Sequence, residues 1–412
     1  MSKGECGADL NLEIETVAFE PNRQAGLDRL AKVIPRMGTY YAQNRNFDFG
    51  KENRSSVSAL SPWIRHRLIT EEEVLADTLA QHSLPASMKF IQEVFWRGYF
   101  KGWLEQHPSV WQSYQTGVAT AFENLNINPS IKVDYDEAIA GRTGIACFDH
   151  WSRELKETGY LHNHARMWFA SIWIFTLRLP WELGANFFLR NLLDGDPASN
   201  TLSWRWVGGL HTKGKIYLAD SSNIAQFTDG RFEPTGQMAL EAEPLSEDID
   251  HPFVPFSPPN PVHADGALLL ITPEDCLPET LIDGRFSGAL GMATRDQNSE
   301  TTIVQSFSKS AVTDAISRSG YFGSPVVCSE NWAEEIIKAA ENAGTNHVIT
   351  PWAPLGETAT QLDTAKDTLS KVGIRLDQQQ RPYDALTWPH ASKGFFKLKK
   401  KIPQILSELR IA

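Results

Sequence analysis

The chain has 412 residues, a length that favours two domains, each with its own apolar core. With 42% hydrophobic and 22% charged residues, the composition is that of a soluble globular protein. The net charge of −11 argues against a broadly basic nucleic-acid binder, although a local positive cleft is compatible with it. Thirteen tryptophans are more than packing alone explains.

Targeting and metal-binding signals are absent from the sequence. The acidic N-terminus, MSKGECGADLNLEIE, lacks the apolar core of a secretion signal, and His and Arg side chains interrupt the most apolar stretch, 161–178. We therefore expect no membrane span. The cysteines form no C-x-x-C pair, which argues against a zinc or iron–sulfur site and predicts reduced thiols in a cytoplasmic protein: Cys6, Cys147, Cys276 and Cys328.

Helical spacing of apolar residues dominates the first half of the chain, with almost no alternating strand pattern. The pattern predicts an all-helical domain at 25–235, preceded by a tail at 1–24. The helical stretches are 71–82, 86–106, 147–159, 163–179 and 181–193.

A segment rich in Pro and acidic residues, 236–264, predicts an extended linker, because proline cannot propagate a helix. Beyond it, short apolar runs alternate with amphipathic stretches. This alternation is typical of a Rossmann-like α/β domain with a parallel sheet, predicted at 265–412. The apolar runs are 267–272, 324–329, 346–351 and 373–378, and the amphipathic stretches are 310–320, 331–344 and 358–373.

The loop LLDGDPASNTLSWRWVGG, 192–209, concentrates polar and aromatic residues. Asp194 and Asp196 can accept hydrogen bonds from a ribityl chain or a ring N–H, and Asn200 offers both a donor and an acceptor. Such groups suit the edge of a flavin ring. The alternative is an acidic turn between two helices, with Trp204 and Trp206 filling the core.

Four stretches resemble, in order, the helical domain of the cryptochrome/photolyase family. They are NRSSVSALSPWIR, FIQEVFWRGYF, GRTGIACFDHWSRELKETGYLHNHARMW and the loop 192–209. The resemblance covers roughly 25–225 and implies a bent FAD in a helical bundle. The residues that it assigns to FAD are Tyr41, Val57, Ser58, Leu60, Ser61, Arg97, Asn163, Arg166, Asp194, Asp196 and Asn200.

The resemblance also implies a substrate pocket. Five residues stand at the positions that line the dimer pocket of cyclobutane pyrimidine dimer photolyases: Glu93, Trp96, Asn163, Met167 and Trp206. Asn163 replaces the His of the (6-4) repair enzymes, which makes that activity a third choice. Trp204 and Trp181 match the inner and middle tryptophans of the electron-transfer relay. The outer position is Asn128, with Trp173, Trp168 or Trp151 as substitutes.

Several departures from the family stand out. Gly98 and His164 replace an acid and an Arg, and we expect both at the rim where DNA would lie. Ala59 stands where many members have Arg. The α/β part follows the flavin domain, whereas ordinary members begin with it. Segments 264–281 and 350–403 weakly resemble their antenna domain, which suggests a circular permutation; an unrelated appendage is the alternative. The basic 393–401 resembles a solvated helix face more than a nucleic-acid patch.

The resemblance implies a lyase that repairs DNA in blue light: reduced FAD donates an electron to a cyclobutane pyrimidine dimer in damaged, possibly single-stranded, DNA. The alternative is a cryptochrome-like blue-light receptor without repair activity. A flavin-binding structural subunit is a third hypothesis. An antenna chromophore in the α/β domain stays unidentified, as do protein partners.

Overall fold

Helices make up the first part of the chain in the computed structural model, which describes residues 14–293, 302–321 and 323–411. Cys6 and most of the predicted tail lie outside these residues. The helices before the sheet are α1 (Arg23–Val33), α2 (Thr39–Asn44), α3 (Ser61–Arg65), α4 (Glu71–Gln81), α5 (Leu84–Glu105), α6 (Pro108–Ile127), α7 (Pro129–Ala140), α8 (Ala146–Thr158), α9 (Asn163–Ser171), α10 (Trp181–Asn191), α11 (Pro197–Val207) and α12 (Ser221–Phe227).

Local chemistry explains where these helices begin. Thr70 caps α4 and forms a reciprocal capping box with Glu73, which satisfies two backbone N–H groups that have no partner within the helix. Asp196 caps α11 by accepting from the amide of Ser199, and Pro197 occupies the first helical position. A π-helical turn, Ile172–Thr176, extends α9. The prediction that 192–209 is a loop is therefore wrong for residues 197–207, which form α11, and this helix fixes Asp196 at its start.

A five-stranded parallel sheet forms the second part. Its strands are β1 (Leu268–Ile271), β2 (Gly288–Ala293), β3 (Val326–Cys328), β4 (His347–Pro351) and β5 (Arg375–Gln379), in the order β3-β2-β1-β4-β5. The helices of this part are α13 (Ile303–Arg318), α14 (Trp332–Ala343), α15 (Glu357–Lys371), α16 (Pro382–Thr387), α17 (Phe396–Lys399) and α18 (Ile402–Glu408). The predicted fold class, a helical domain followed by a parallel α/β domain, is confirmed.

Between the two parts, residues 228–267 contain neither helix nor strand. This segment is tied to the helical domain at several points. The amide of Leu245 donates to Gly208, the amide of Val254 donates to Gln106, and Glu247 pairs with Arg205. No helix in the described part of the chain is both long and apolar enough to cross a bilayer.

The sheet shares its core with the helical domain. Alternate residues of β1 point to opposite faces. Leu269 and Ile271 join the core that contains α1 to α5, whereas Leu268 and Leu270 join a core built from α14 and α15. Helix α13 also belongs to the first core, so this face of the sheet is continuous, through α13, with the core of the helical domain.

Two glycines of α5 allow a close approach between the two parts. A Cβ on Gly98 would stand 3.1 Å from the Tyr383 ring, and one on Gly102 would stand 2.7 Å from Cα of Trp388. The Tyr383 hydroxyl donates to the carbonyl of Val94. The expectation that Gly98 lies at a DNA-binding rim is therefore wrong, because this buried glycine faces α16.

Candidate functional site

The loop after α10 carries two buried carboxylates with different cationic partners. Asp194 accepts a hydrogen bond from Arg166 Nη2 at 2.8 Å. Burial would raise the pKa of Asp194, but the charge of Arg166 and hydrogen bonds from Arg166 and Ser61 outweigh it and lower the pKa. Asp194 is thus held ionised, and it joins the loop 57–61 to α9.

Asp196 faces a second pair of cations, both on α5. Lys101 Nζ lies 3.6 Å from its Oδ2, and Arg97 Nη2 lies 3.8 Å from the same oxygen. Burial would raise the pKa of Asp196, yet the nearby charges of Lys101, Arg97 and Arg65 lower it strongly. The structure thereby brings five predicted cofactor residues into one cluster: Ser61, Arg97, Arg166, Asp194 and Asp196.

Lys101 and Arg65 are parts of this cluster that the sequence analysis missed. Lys101 lies one turn after Arg97 on α5, a spacing that places both on one face and could have revealed it. Arg65 closes the NRSSVSALSPWIR motif, and its Nε donates to the carbonyl of Gly195 at 2.7 Å. The long-range contact from Arg65 to Gly195 leaves no local signal in the sequence.

The loop 57–61 has the features expected of an anion cradle. Arg29 Nε donates to the carbonyl of Ser58 at 2.7 Å, while the amides of Ser58 and Ala59 donate to no acceptor in the described part of the chain. Ala59 has φ +51°, in the left-handed region that costs a non-glycine residue roughly 1–2 kcal/mol. Strain of this kind collects at functional sites. Val57 and Leu60 are buried, and Arg29 itself is neutralised by Glu15 at 2.8 Å.

Buried polar atoms without partners show whether this cluster fits FAD. Arg97 Nε and Nη2, Lys101 Nζ and Asp194 Oδ1 have no hydrogen-bond partner among the described residues. Each such group is costly unless a ligand or water satisfies it. Unpaired cationic donors suit phosphate oxygens, and the free carboxylate oxygen suits a hydroxyl or a ring N–H. The residues present therefore fit FAD.

Two other cofactor residues lie at the edge of the cluster. Asn200 is buried and donates from Nδ2 to the carbonyl of Ala185 at 2.8 Å, which fixes the direction of its amide. Tyr41 is buried against the edge of the Phe90 ring, and burial raises its phenol pKa. Its neighbours Glu93 and Arg45 influence that pKa, so Tyr41 connects the cluster to the predicted substrate residues.

The five predicted substrate residues lie on three helices. Glu93 and Trp96 belong to α5, Asn163 and Met167 to α9, and Trp206 to α11. Asn163 is exposed, and the other four are half-buried.

Two of these side chains have partners outside the set. Glu93 forms an ion pair with Arg45. Burial raises the pKa of Glu93, although Arg45 opposes the shift. Trp206 stacks on Tyr217 with ring centroids 5.7 Å apart. The Tyr217 hydroxyl lies 3.5 Å from Nε2 of His164, a residue of α9. Tyr217 therefore connects Trp206 to α9.

Trp96 is partly covered by the α/β domain. Its ring stacks on Phe395 with centroids 3.8 Å apart and an interplanar angle of 12°. The indole also packs against Tyr99 and Phe100, with ring centroids 5.3 Å away in each case, so only part of its surface is left for a substrate.

The tryptophans at the relay positions have different surroundings. Trp204 is buried beside Phe188 and Trp173, whose ring centroids lie 5.1 and 6.2 Å away. Trp181 instead packs against Tyr114 at 5.6 Å. Trp173 continues to half-buried Tyr135 at 6.1 Å, which gives a contact chain from Trp204 toward the surface. The relay through Trp181 stays a prediction, and the contacts through Trp173 and Tyr135 offer a second route.

The carboxyl ends of β1 and β4, where open α/β sheets usually bind ligands, pack against the helical domain. Arg65 makes two hydrogen bonds to Glu274, at 2.7 and 2.8 Å. Glu105 accepts from the amide of Leu355 at 2.8 Å. An antenna chromophore therefore stays a prediction without assigned residues. The described residues contain no group of three metal-ligating side chains.

Comparison with known proteins identifies the helical domain. Residues 90–238 match the family described as the FAD binding domain of DNA photolyase. The helical domain is thus similar to the FAD-binding domain of the cryptochrome/DNA photolyase family. The match includes α5, α9 and the loop 192–209, which carry most of the site.

Curated relatives within this family are named deoxyribodipyrimidine photo-lyase. The Escherichia coli K12 protein is 28% identical over 242 residues, which are 57% of this chain and 49% of the relative. The Neurospora crassa protein is 32% identical over 149 residues, 36% of this chain and 23% of the relative. The chain thus spans about half the length of the E. coli relative and 23% of the length of the N. crassa relative.

Solved structures of the same family give partial matches. A bacterial class III photolyase from Agrobacterium tumefaciens is 25% identical, with a TM-score of 0.42, over 50% of this chain and 43% of that one. A Synechocystis cryptochrome is 23% identical, with a TM-score of 0.42, over 53% and 46%.

Proposed function

We propose that this protein is a light-driven DNA repair flavoprotein that splits cyclobutane pyrimidine dimers. The observation that carries the proposal is the buried cluster around the loop 192–209. Its buried atoms without a hydrogen bond, on Arg97, Lys101 and Asp194, suit the phosphates and polar edge of FAD. They lie within a domain that matches the FAD binding domain of DNA photolyase.

The residues that would hold FAD fall into two groups. The free amides of Ser58 and Ala59, with Arg97 and Lys101, would bind the diphosphate. Asp194, oriented by Arg166, and Asn200, oriented by Ala185, would contact the flavin and its ribityl chain. When bound and reduced, FAD supplies the electron that light transfers to the dimer.

The chain's own residues would position the dimer. Asn163 can donate to the pyrimidine carbonyls, and the Glu93 carboxylate, which is held by Arg45, can accept from a pyrimidine N–H. Trp96 and Trp206 would contact the flipped dimer with the faces and edges that Phe395 and Tyr217 leave free. Extruding a damaged, poorly stacked dinucleotide costs less than extruding a normal one.

A repair assay tests this proposal. FAD-loaded, reduced protein is illuminated with single- and double-stranded oligonucleotides that contain one thymine dimer, and restored thymines are counted. We expect light-dependent repair that Glu93→Ala and Trp96→Ala reduce while FAD stays bound. Glu157→Gln, which changes an exposed carboxylate paired with Lys51, serves as the matched control and should repair normally.

A cryptochrome-like photoreceptor is the second candidate. The stacking of Phe395 on Trp96 favours it, since that contact reduces the surface open to a dimer. Under this hypothesis, light reduces the flavin through Trp204 and no thymines are restored. A reduced, photoactive sample that fails to repair either substrate would replace the repair proposal with this one.

A further inference from the structure

A basic segment at the C-terminal end of the α/β domain lies next to the candidate dimer pocket. The stretch 393–401 has five lysines and no acidic residue, in a chain with a net charge of −11. In the described part of the chain, none of these lysines has a carboxylate within 4.0 Å: Lys393, Lys397, Lys399, Lys400 and Lys401. The nearest acid along the chain, Glu408, accepts from Gln404 instead. The segment is thus positively charged in a chain whose net charge is negative.

Its position is fixed by buried apolar side chains. Phe395 stacks on Trp96, and Leu398 and Ile402 are fully buried in the core shared with the helical domain. Because Phe395 and Leu398 point inward, the lysines between and after them are directed outward. Lys393, Lys397 and Lys400 are all exposed. The positive charge is therefore held at the Trp96 side of α5.

An aromatic ring accompanies this charge at the surface. Phe396 is 72% exposed, and Lys399 Nζ lies 5.8 Å from its ring centroid. Lysines that follow a phosphate backbone, combined with an exposed aromatic on which a base stacks, are the features of single-strand binding surfaces. On α5, exposed Lys89 extends the basic surface toward Glu93.

We propose that the segment 393–401 binds the phosphate backbone of single-stranded DNA beside the dimer pocket, with Phe396 as a stacking platform for a base. The assignment of the strand as damaged DNA rests on the proposed function. Phosphate binding itself needs neither light nor a dimer. The α/β domain would thereby add positive charge beside the pocket of a chain whose net charge is −11.

The test measures binding in the dark to an undamaged, fluorescein-labelled thymidine oligonucleotide of about 12 nucleotides, by anisotropy. The variant is Lys393→Ala/Lys397→Ala/Lys400→Ala in the full FAD-loaded chain. The matched control, Lys338→Ala/Lys366→Ala/Lys371→Ala, removes the same charge from exposed positions of α14 and α15. Flavin content and thermal unfolding establish that both variants fold.

Salt dependence gives the decisive readout. Each phosphate contact on a single strand contributes roughly 0.7 to the slope of log affinity against log salt, so the loss of three contacts should reduce the magnitude of this slope by about 2. Affinity should fall at least tenfold at low salt in the variant and stay near wild type in the control. Phe396→Ala should weaken binding by about fivefold or more without changing the slope.

Several outcomes would overturn the inference. Equal slopes for wild type and variant would do so, as would equal losses in variant and control, or binding to phosphatidylserine vesicles in place of the oligonucleotide. Its failure is distinct from failure of the repair proposal. If binding in the dark needs the lysines but light restores no thymines, only the repair proposal is refuted. If repair is normal but binding does not depend on the lysines, only this inference is refuted.

Discussion

Replacing Glu274 by Ala should strongly destabilise the junction between the two domains. Arg65 and Glu274 are joined by two charge-assisted hydrogen bonds, and the side chain of each is only 7% exposed. Two such bonds are worth about 3–6 kcal/mol together, and breaking a buried pair typically costs about 3–5 kcal/mol. The charge of Asp196, which also acts on Arg65, would compensate in part. We therefore expect a loss of about 3 kcal/mol.

Thermal unfolding followed by near-UV circular dichroism measures this loss. For a domain of about 150–250 residues, it corresponds to a drop in melting temperature of about 6–12 °C. Glu274→Gln keeps the shape and should lose less. The double variant Arg65→Met/Glu274→Leu should recover most of the stability, because it leaves no buried charge unpaired. One hydrogen bond, from Arg65 to Gly195, stays lost.

The control is Asp136→Ala, which breaks an exposed pair with Lys132. It should change stability by about 0.5 kcal/mol or less. The reasoning would be refuted if Glu274→Ala behaved like this control, or if the double variant were less stable than the single one. Either result would show that the Arg65 charge finds adequate solvation without Glu274.

Two further predictions concern electron transfer and pH. Trp204→Phe should slow photoreduction of oxidised flavin. If electrons follow the ring contacts, Trp173→Phe should slow it more than Trp181→Phe. Transient absorption after a flash measures these rates, and the reverse order would show that the Trp181 route dominates. Burial raises the pKa of Glu105 to about 7 from its ordinary 4.5, so its stabilising effect is complete below pH 4.5 and is lost as the pH rises through 7. Glu105→Gln should therefore flatten the pH dependence of the melting temperature in this window, and an unchanged profile would show that Glu105 does not cause it.

Amphipathic patterns were sufficient to predict eight of the eighteen helices of the described residues and four of the five strands. Strand β2, GALGMA, was missed because its two glycines weaken the strand pattern. Among the missed helices are α6 and α7. Helix α7 is half exposed and carries only one fully buried side chain, Ala138. A helix that buries little apolar surface has no periodic pattern of apolar residues from which it could be predicted.

The flavin cluster could be predicted in part because its members belong to compact motifs. Asp194 and Asp196 share one loop, and Arg97 lies in the FIQEVFWRGYF motif. The contact between Lys101 and Asp196 could not be predicted, since it depends on how α5 packs against α11. The same holds for Phe395, whose stacking on Trp96 joins two parts of the chain that are far apart in sequence.

The order of the domains offers a physical explanation for the departures on α5. Along successive turns of this helix, Trp96 contacts Phe395, Gly98 faces Tyr383 and Gly102 faces Trp388. A longer side chain at Gly102 would collide with backbone, because even a Cβ would stand 2.7 Å from Trp388 Cα. An acidic residue at Gly98 would meet the buried ring of Tyr383, because even a Cβ there would stand 3.1 Å from that ring. The loss of the acid at this position therefore follows from the docking of the C-terminal domain, and it carries no information against DNA binding at the opposite faces of the site.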